Sequence, residues 1–168
     1  MNAKRMALGG ILAALAVMVL ALGGVIPAAA YCAPVLASAM LVPVISVCGS
    51  RIAWAWYAAV AILGSLLCPD PETAAVFVFL GYYPIVQARL NRLPKALRIA
   101  LKLLLFHLAG AAMYAALIFL LGLRGIWEEF WQTALVLQIL TVALAELTFL
   151  LTDHLLSRLA RRWPPHMA

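Results

Sequence analysis

Five polar side chains able to bind or exchange protons fall within two long apolar runs near the C-terminus. His107 and Tyr114 lie in the run 99–121, and Gln138, Thr141 and Glu146 in the run 130–156. Polar groups inside an apolar span are costly, so each needs a partner or a purpose. If the two runs are antiparallel neighbouring helices, the rise of about 1.5 Å per residue puts Tyr114 level with Gln138, roughly 10 Å below the outer end. The same count puts His107 level with Glu146, roughly 22 Å down. The deeper rung is an imidazole and an acid that would relieve each other's desolvation as a buried polar pair. The outer rung is a hydroxyl and an amide suited to hydrogen-bonding a solute, with Thr141 on the same helix and Tyr31 and Trp127 supplied by loops. The plainer reading of either rung is interhelical hydrogen bonding that holds the bundle together.

Chemistry of other kinds has no footing here. The sequence has no Gly-rich phosphate loop, no HExxH and no GxSxG, so it offers no catalytic residue and nothing that would hold ATP. Asp70 and Asp153 are the only aspartates and are expected on opposite sides of the membrane, where a CDP-alcohol phosphotransferase would need an Asp cluster. Cys32, Cys48 and Cys68 show no CxxC or Cys/His spacing, so no metal is expected and the three read as small buried side chains. The chain is therefore read as a non-enzyme without a cofactor.

The elements that position these residues follow from composition. The 168 residues are 67% hydrophobic and 11% charged, with a mean hydropathy of +1.08. A soluble domain is about 45–50% apolar and about 25% charged, so lipid is the expected solvent. The net charge of +6 does not point to nucleic acid, because the basic residues sit at the ends of apolar runs, where topology accounts for them. Six spans are expected, at 6–26, 35–48, 52–68, 73–88, 99–121 and 130–156, in a single domain covering 1–168. Pro43 and Pro84 are expected to bend the second and fourth. Ala28-Ala29-Ala30 resembles a signal-peptidase site, but the run before it is longer than a secretory apolar region of about 7–15 residues, so a retained first helix is expected.

Charge placement checks the count. With both termini cytoplasmic, Lys4, Arg5, Arg51, the connector Arg89, Arg92, Lys95, Arg98 and Lys102, and Arg158, Arg161 and Arg162 all fall inside, and only Arg124 falls outside. Asp70, Glu72, Glu128 and Glu129 all fall outside. Cytoplasmic loops carry the excess of Lys and Arg, so one arrangement satisfies every connector: an all-α, six-helix membrane protein with both termini cytoplasmic.

The first helix opens Lys4-Arg5-Met6-Ala7-Leu8-Gly9-Gly10-Ile11-Leu12-Ala13-Ala14. The pairs Gly10/Ala14 and Gly9/Ala13 are small residues four apart, which allow helices to approach closely in lipid. With the length and the six spans, this opening resembles the substrate-binding S components of energy-coupling factor (ECF) transporters, which begin with a basic pair and an AxxxA-type stripe. The resemblance implies that Gly9, Gly10, Ala13 and Ala14 dock on a transmembrane T component. It also implies capture of a small vitamin-like solute at the outer face and uptake driven by two ATPase subunits. A small scaffold membrane protein of the MreD cell-shape kind, without transport, is the competing expectation.

Overall fold

The computed structural model describes residues 3–26, 29–91, 93–119 and 135–162. They form an all-helical protein of eight helices: α1 (Ala3–Val25), α2 (Cys32–Ala39), α3 (Leu41–Cys48), α4 (Ser50–Leu67), α5 (Pro71–Leu80), α6 (Tyr83–Leu90), α7 (Lys95–Phe119) and α8 (Leu135–Arg162). Three stretches, Ala3–Val25, Ser50–Leu67 and Ala96–Ala116, are long and apolar enough to cross a membrane. Large apolar side chains are exposed along them, with Val25, Leu66 and Leu108 more than two-thirds exposed. A contiguous apolar exterior of this kind is foreign to a water-soluble monomer.

Two expected spans are broken. The stretch 35–48 is not one helix: α2 ends at Ala39, Met40 bridges, and α3 follows. Pro43 lacks an N–H and crowds the carbonyl four residues back, at Ala39, so the break sits one turn before the proline. The stretch 73–88 likewise divides into α5 and α6 at Gly81-Tyr82, one turn before Pro84. The basic connector is also shorter than expected. Residues 91–94 separate α6 from α7, and α7 begins when the Arg98 amide bonds to the Pro94 carbonyl. Arg98 and Lys102 are therefore helical, and Lys102 is buried. At the far end α8 continues past 156 to Arg162.

Side-chain contacts set the relative directions of the helices from α1 to α6. The Cys48 thiol donates to the Arg5 carbonyl (3.4 Å), so α3 ends where α1 starts. Trp56 Nε1 donates to the Gly9 carbonyl (2.9 Å) and the Cys68 thiol to the Leu20 carbonyl (3.3 Å), so α4 runs parallel to α1. The Tyr57 hydroxyl reaches the Val78 carbonyl, which sets α5 antiparallel to α4. Val44 and Ile85 share one core cluster, and Val42 and Tyr83 another, so α6 lies alongside α3. The legs α1, α2–α3, α4 and α5–α6 therefore alternate in direction, with α2–α3 and α5–α6 each a broken leg. One end of the bundle gathers Lys4, Arg5, Arg51, Arg89, Arg98 and Arg158, and the other gathers Asp70 and Glu72.

Local chemistry fixes the turns. Gly49 stands between α3 and α4 at φ 87°, ψ 164°, a region open in practice to glycine alone. A Cβ there would meet no neighbour within 4 Å, so the cost of Gly49→Ala is backbone strain, about 1–3 kcal/mol, measured by chemical unfolding in detergent. At the other end Asp70 caps α5. Its carboxylate accepts from the amides of Glu72 (3.3 Å) and Thr73 (2.9 Å) and from the Thr73 hydroxyl (2.5 Å), and Pro71 occupies the first turn.

Burial alone would raise the Asp70 carboxyl, but the Thr73 hydroxyl and the two amides outweigh it and hold it below its ordinary value. A depressed carboxyl stabilises the fold above its unfolded pKa of about 4 and loses that contribution as pH falls through the lower folded value. Asp70→Ala is expected to cost about 1 kcal/mol at pH 7. The difference from the parent should shrink below about pH 4, as followed by thermal unfolding across pH.

Candidate functional site

The centre of the site is a polar node deep in the bundle. Tyr83 and Gln87 are four residues apart on α6, and Asp153 and Ser157 four apart on α8, so each pair shares a helix face. The Tyr83 hydroxyl donates to Asp153 Oδ1 at 2.5 Å. Gln87 Nε2 donates to Asp153 Oδ1 (2.6 Å), to the Asp153 carbonyl (2.9 Å) and to Ser157 Oγ (3.2 Å). Lys102 Nζ, from α7, lies 2.6 Å from the same Oδ1. Tyr83, Gln87 and Lys102 are all buried, and a buried charge is tolerable only when paired and hydrogen-bonded, as here. Among the described residues no buried side-chain nitrogen or oxygen lacks a partner.

An aromatic layer adjoins the node. Phe149 stacks on Phe106 at 4.6 Å and meets Tyr83 edge-on at 5.1 Å. On one side of this layer lies an apolar cavity of about 440 Å³. Its walls are Pro34, Val35 and Ser38 of α2, Val76 and Leu80 of α5, Phe106, Gly110 and Met113 of α7, and Leu144, Ala145, Thr148 and Thr152 of α8. Tyr31 and Tyr114 also line it, and both are exposed. The wall hydroxyls are largely spent on local carbonyls: Ser38 donates to Val35, Thr148 to Leu144 and Thr152 to Thr148. The Tyr31 hydroxyl donates to Glu72 Oε1 at 2.9 Å. Burial, then the hydrogen bond to Glu72 and its charge, push that hydroxyl above its ordinary value, so it stays a donor at neutral pH.

No family model, curated protein or solved structure matches the chain.

The structure treats the expected site residues unequally. Tyr31 and Tyr114 come together at one cavity, although Tyr31 is bonded to Glu72. Gln138 and Thr141 lie on α8, but their side chains are outside the described residues, as is the whole of Trp127. His107 Nε2 does lie 3.3 Å from Glu146 Oε1, but the two side chains are 55% and 42% exposed. The expectation of a buried pair is therefore corrected: the two groups meet on the flank of the bundle. Helix geometry explains it. Among the described residues of α7, Lys102, Ala109 and Met113 are buried, with Phe106 on the same face and packed against the core. These are spaced at four, three and four residues, and His107 is about 100° round from Phe106.

The small-residue stripe on α1 divides by face. Gly9 packs its carbonyl against Trp56, and Ala13 packs on the core. Gly10 and Ala14 are exposed, and a Cβ on Gly10 would meet nothing within 4 Å. The closest approach within the bundle lies elsewhere, at Gly23, where an added Cβ would sit 2.3 Å from the Ala33 Cβ. The cysteines are free thiols. Among the described residues no group of three His, Cys, Asp or Glu side chains is placed to hold a metal ion.

From the sequence alone Lys102 belongs to the basic connector and Asp153 has no evident partner, so the Asp153 node is not visible there. The rung count held a signal for it. Lys102 precedes His107 by five residues and Asp153 follows Glu146 by seven, so antiparallel helices that pair His107 with Glu146 bring Lys102 and Asp153 to within about 3 Å in depth.

Proposed function

We propose that this protein is a membrane-embedded solute-binding subunit of an uptake system, of the kind represented by ECF S components. In this reading six passes cross a prokaryotic cell membrane with both termini cytoplasmic. The alternation of helix directions supports it, as does the gathering of basic residues at one end and of Asp70 and Glu72 at the other. The observation that carries the function is the apolar cavity of about 440 Å³ lined by Tyr31 and Tyr114 near the acidic end. That volume suits a small organic molecule, and the few hydroxyls on an otherwise apolar wall favour a largely apolar, vitamin-like solute. Orientation with the acidic end outward makes Tyr31 and Tyr114 the first contacts of an incoming solute. Energy would come from partners, a T component and two ATPase subunits, with Gly10 and Ala14 on the open face of α1 available for docking.

That same open face is the observation favouring the second reading, a scaffold protein of the MreD kind, which would use it to hold partners and leave the cavity without a solute. A thermal-shift screen of the purified chain against vitamins and their precursors separates the two. A binder gains stability by mass action, about 2.7 kcal/mol at a hundredfold excess over Kd. A scaffold's melting temperature would not respond to any of them.

A further inference from the structure

A second cavity, of about 590 Å³, lies on the other side of the aromatic layer, at the basic end between α7 and α8. Its charge is positive. Asp153 is the one acid on its wall, and Lys102 pairs with it. Arg98, one turn before Lys102, also lines the cavity, and among the described residues it forms no ion pair. Asn91 and Ser157 add hydrogen-bonding groups beside it, and Ser157 accepts from Gln87 while keeping its own hydroxyl proton to donate. His154 also lines it, and the rest of the wall is apolar, with Leu103 and Leu150.

We infer that this cavity binds a phosphate ester of net negative charge that carries an apolar group. The Arg98 guanidinium presents planar paired donors that match two phosphate oxygens, and the amide of Asn91 and the hydroxyl of Ser157 serve the remaining oxygens. The apolar portion lies on Leu103 and Leu150. The Lys102–Asp153 pair is compensated internally, so Arg98 supplies the net attraction, strengthened by Arg89 and Arg158 at the same end of the bundle. Basic pockets between membrane helices near the cytoplasmic surface hold anionic lipid headgroups by this chemistry. A soluble phosphate ester would use the same groups.

The test uses the full-length chain in detergent, titrated with phosphatidylglycerol and separately with phosphatidylcholine, and read by native mass spectrometry and melting temperature. Phosphatidylglycerol is expected to bind and raise the melting temperature, and phosphatidylcholine is not. Arg98→Gln should weaken phosphatidylglycerol binding about tenfold while melting like the parent in phosphatidylcholine. Ala160→Trp, on the cavity wall one turn beyond Ser157, should weaken it as much by filling the space, and it serves if Arg98→Gln does not fold. Arg51→Gln, at the same end but off the cavity wall, should bind like the parent. Competition by millimolar glycerol phosphate would assign the site to a soluble ester, and lack of competition to the lipid headgroup. Parent-like binding by Arg98→Gln or by Ala160→Trp, or an equal loss in Arg51→Gln, would overturn the proposal.

Discussion

Replacing Asp153 with Ala is expected to destabilise the protein by about 3 kcal/mol. Three side-chain donors, Tyr83, Gln87 and Lys102, converge on one carboxylate oxygen. Removing it leaves a lysine ammonium buried without a counter-charge, which costs about 3–5 kcal/mol in comparable interiors. The lower end applies because the Asp153 side chain is 22% exposed. Lys102→Met should cost a similar amount by stranding the carboxylate. The double variant Lys102→Met with Asp153→Ala should recover most of the loss, because no unpaired charge remains. Tyr83→Phe keeps the ring against Phe149 and removes one hydrogen bond to a charged group, for about 1.5–3 kcal/mol. Chemical unfolding of the four variants in one detergent measures these terms together. Additive losses in the double variant would mean that the node is not coupled.

Gly110→Leu should separate binding from stability. Gly110 lines the apolar cavity, and a Cβ built on it meets nothing within 4 Å. A leucine there enters empty space instead of displacing neighbours. Replacing glycine in mid-helix also removes a penalty of about 0.8–1 kcal/mol, so the melting temperature should hold or rise. The solute, losing its volume, should bind at least about a hundredfold more weakly, roughly 2.7 kcal/mol. Isothermal titration with whichever compound the thermal screen returns checks this. Unchanged affinity in a well-folded Gly110→Leu would place the bound solute outside the apolar cavity.

What could be read in advance depended on whether the signal was local. Gly49 and the prolines flanking Asp70 announce their turns through backbone limits that no distant contact alters. The helical class follows as directly from the apolar runs, and the depth count placed His107 beside Glu146 because antiparallel helices obey one rise per residue. Where the interior lies is a different matter. Lipid-facing and buried positions are both apolar here, so the run 99–121 does not say that Phe106 faces in and His107 faces out. The broken passes were half legible: Pro43 and Pro84 gave the fact of a bend, and the steric effect on the preceding turn placed it at Met40 and at Gly81-Tyr82. Lys102 was lost to a general rule. Basic residues beside a span are ordinarily topological, and only the neighbouring helix reveals that this one turns inward to an acid.

Three native cysteines allow the direction of the bundle to be tested without foreign probes. Cys32 is exposed beside Tyr31 at the end of the apolar cavity, and Cys48 closes α3 at the basic end. In intact cells, a membrane-impermeant maleimide should label a variant retaining only Cys32. It should label a variant retaining only Cys48 after the membrane is opened and not before. The reverse pattern, with Cys48 labelled from outside and Cys32 protected, would turn the cavity toward the cytoplasm and contradict capture from the exterior.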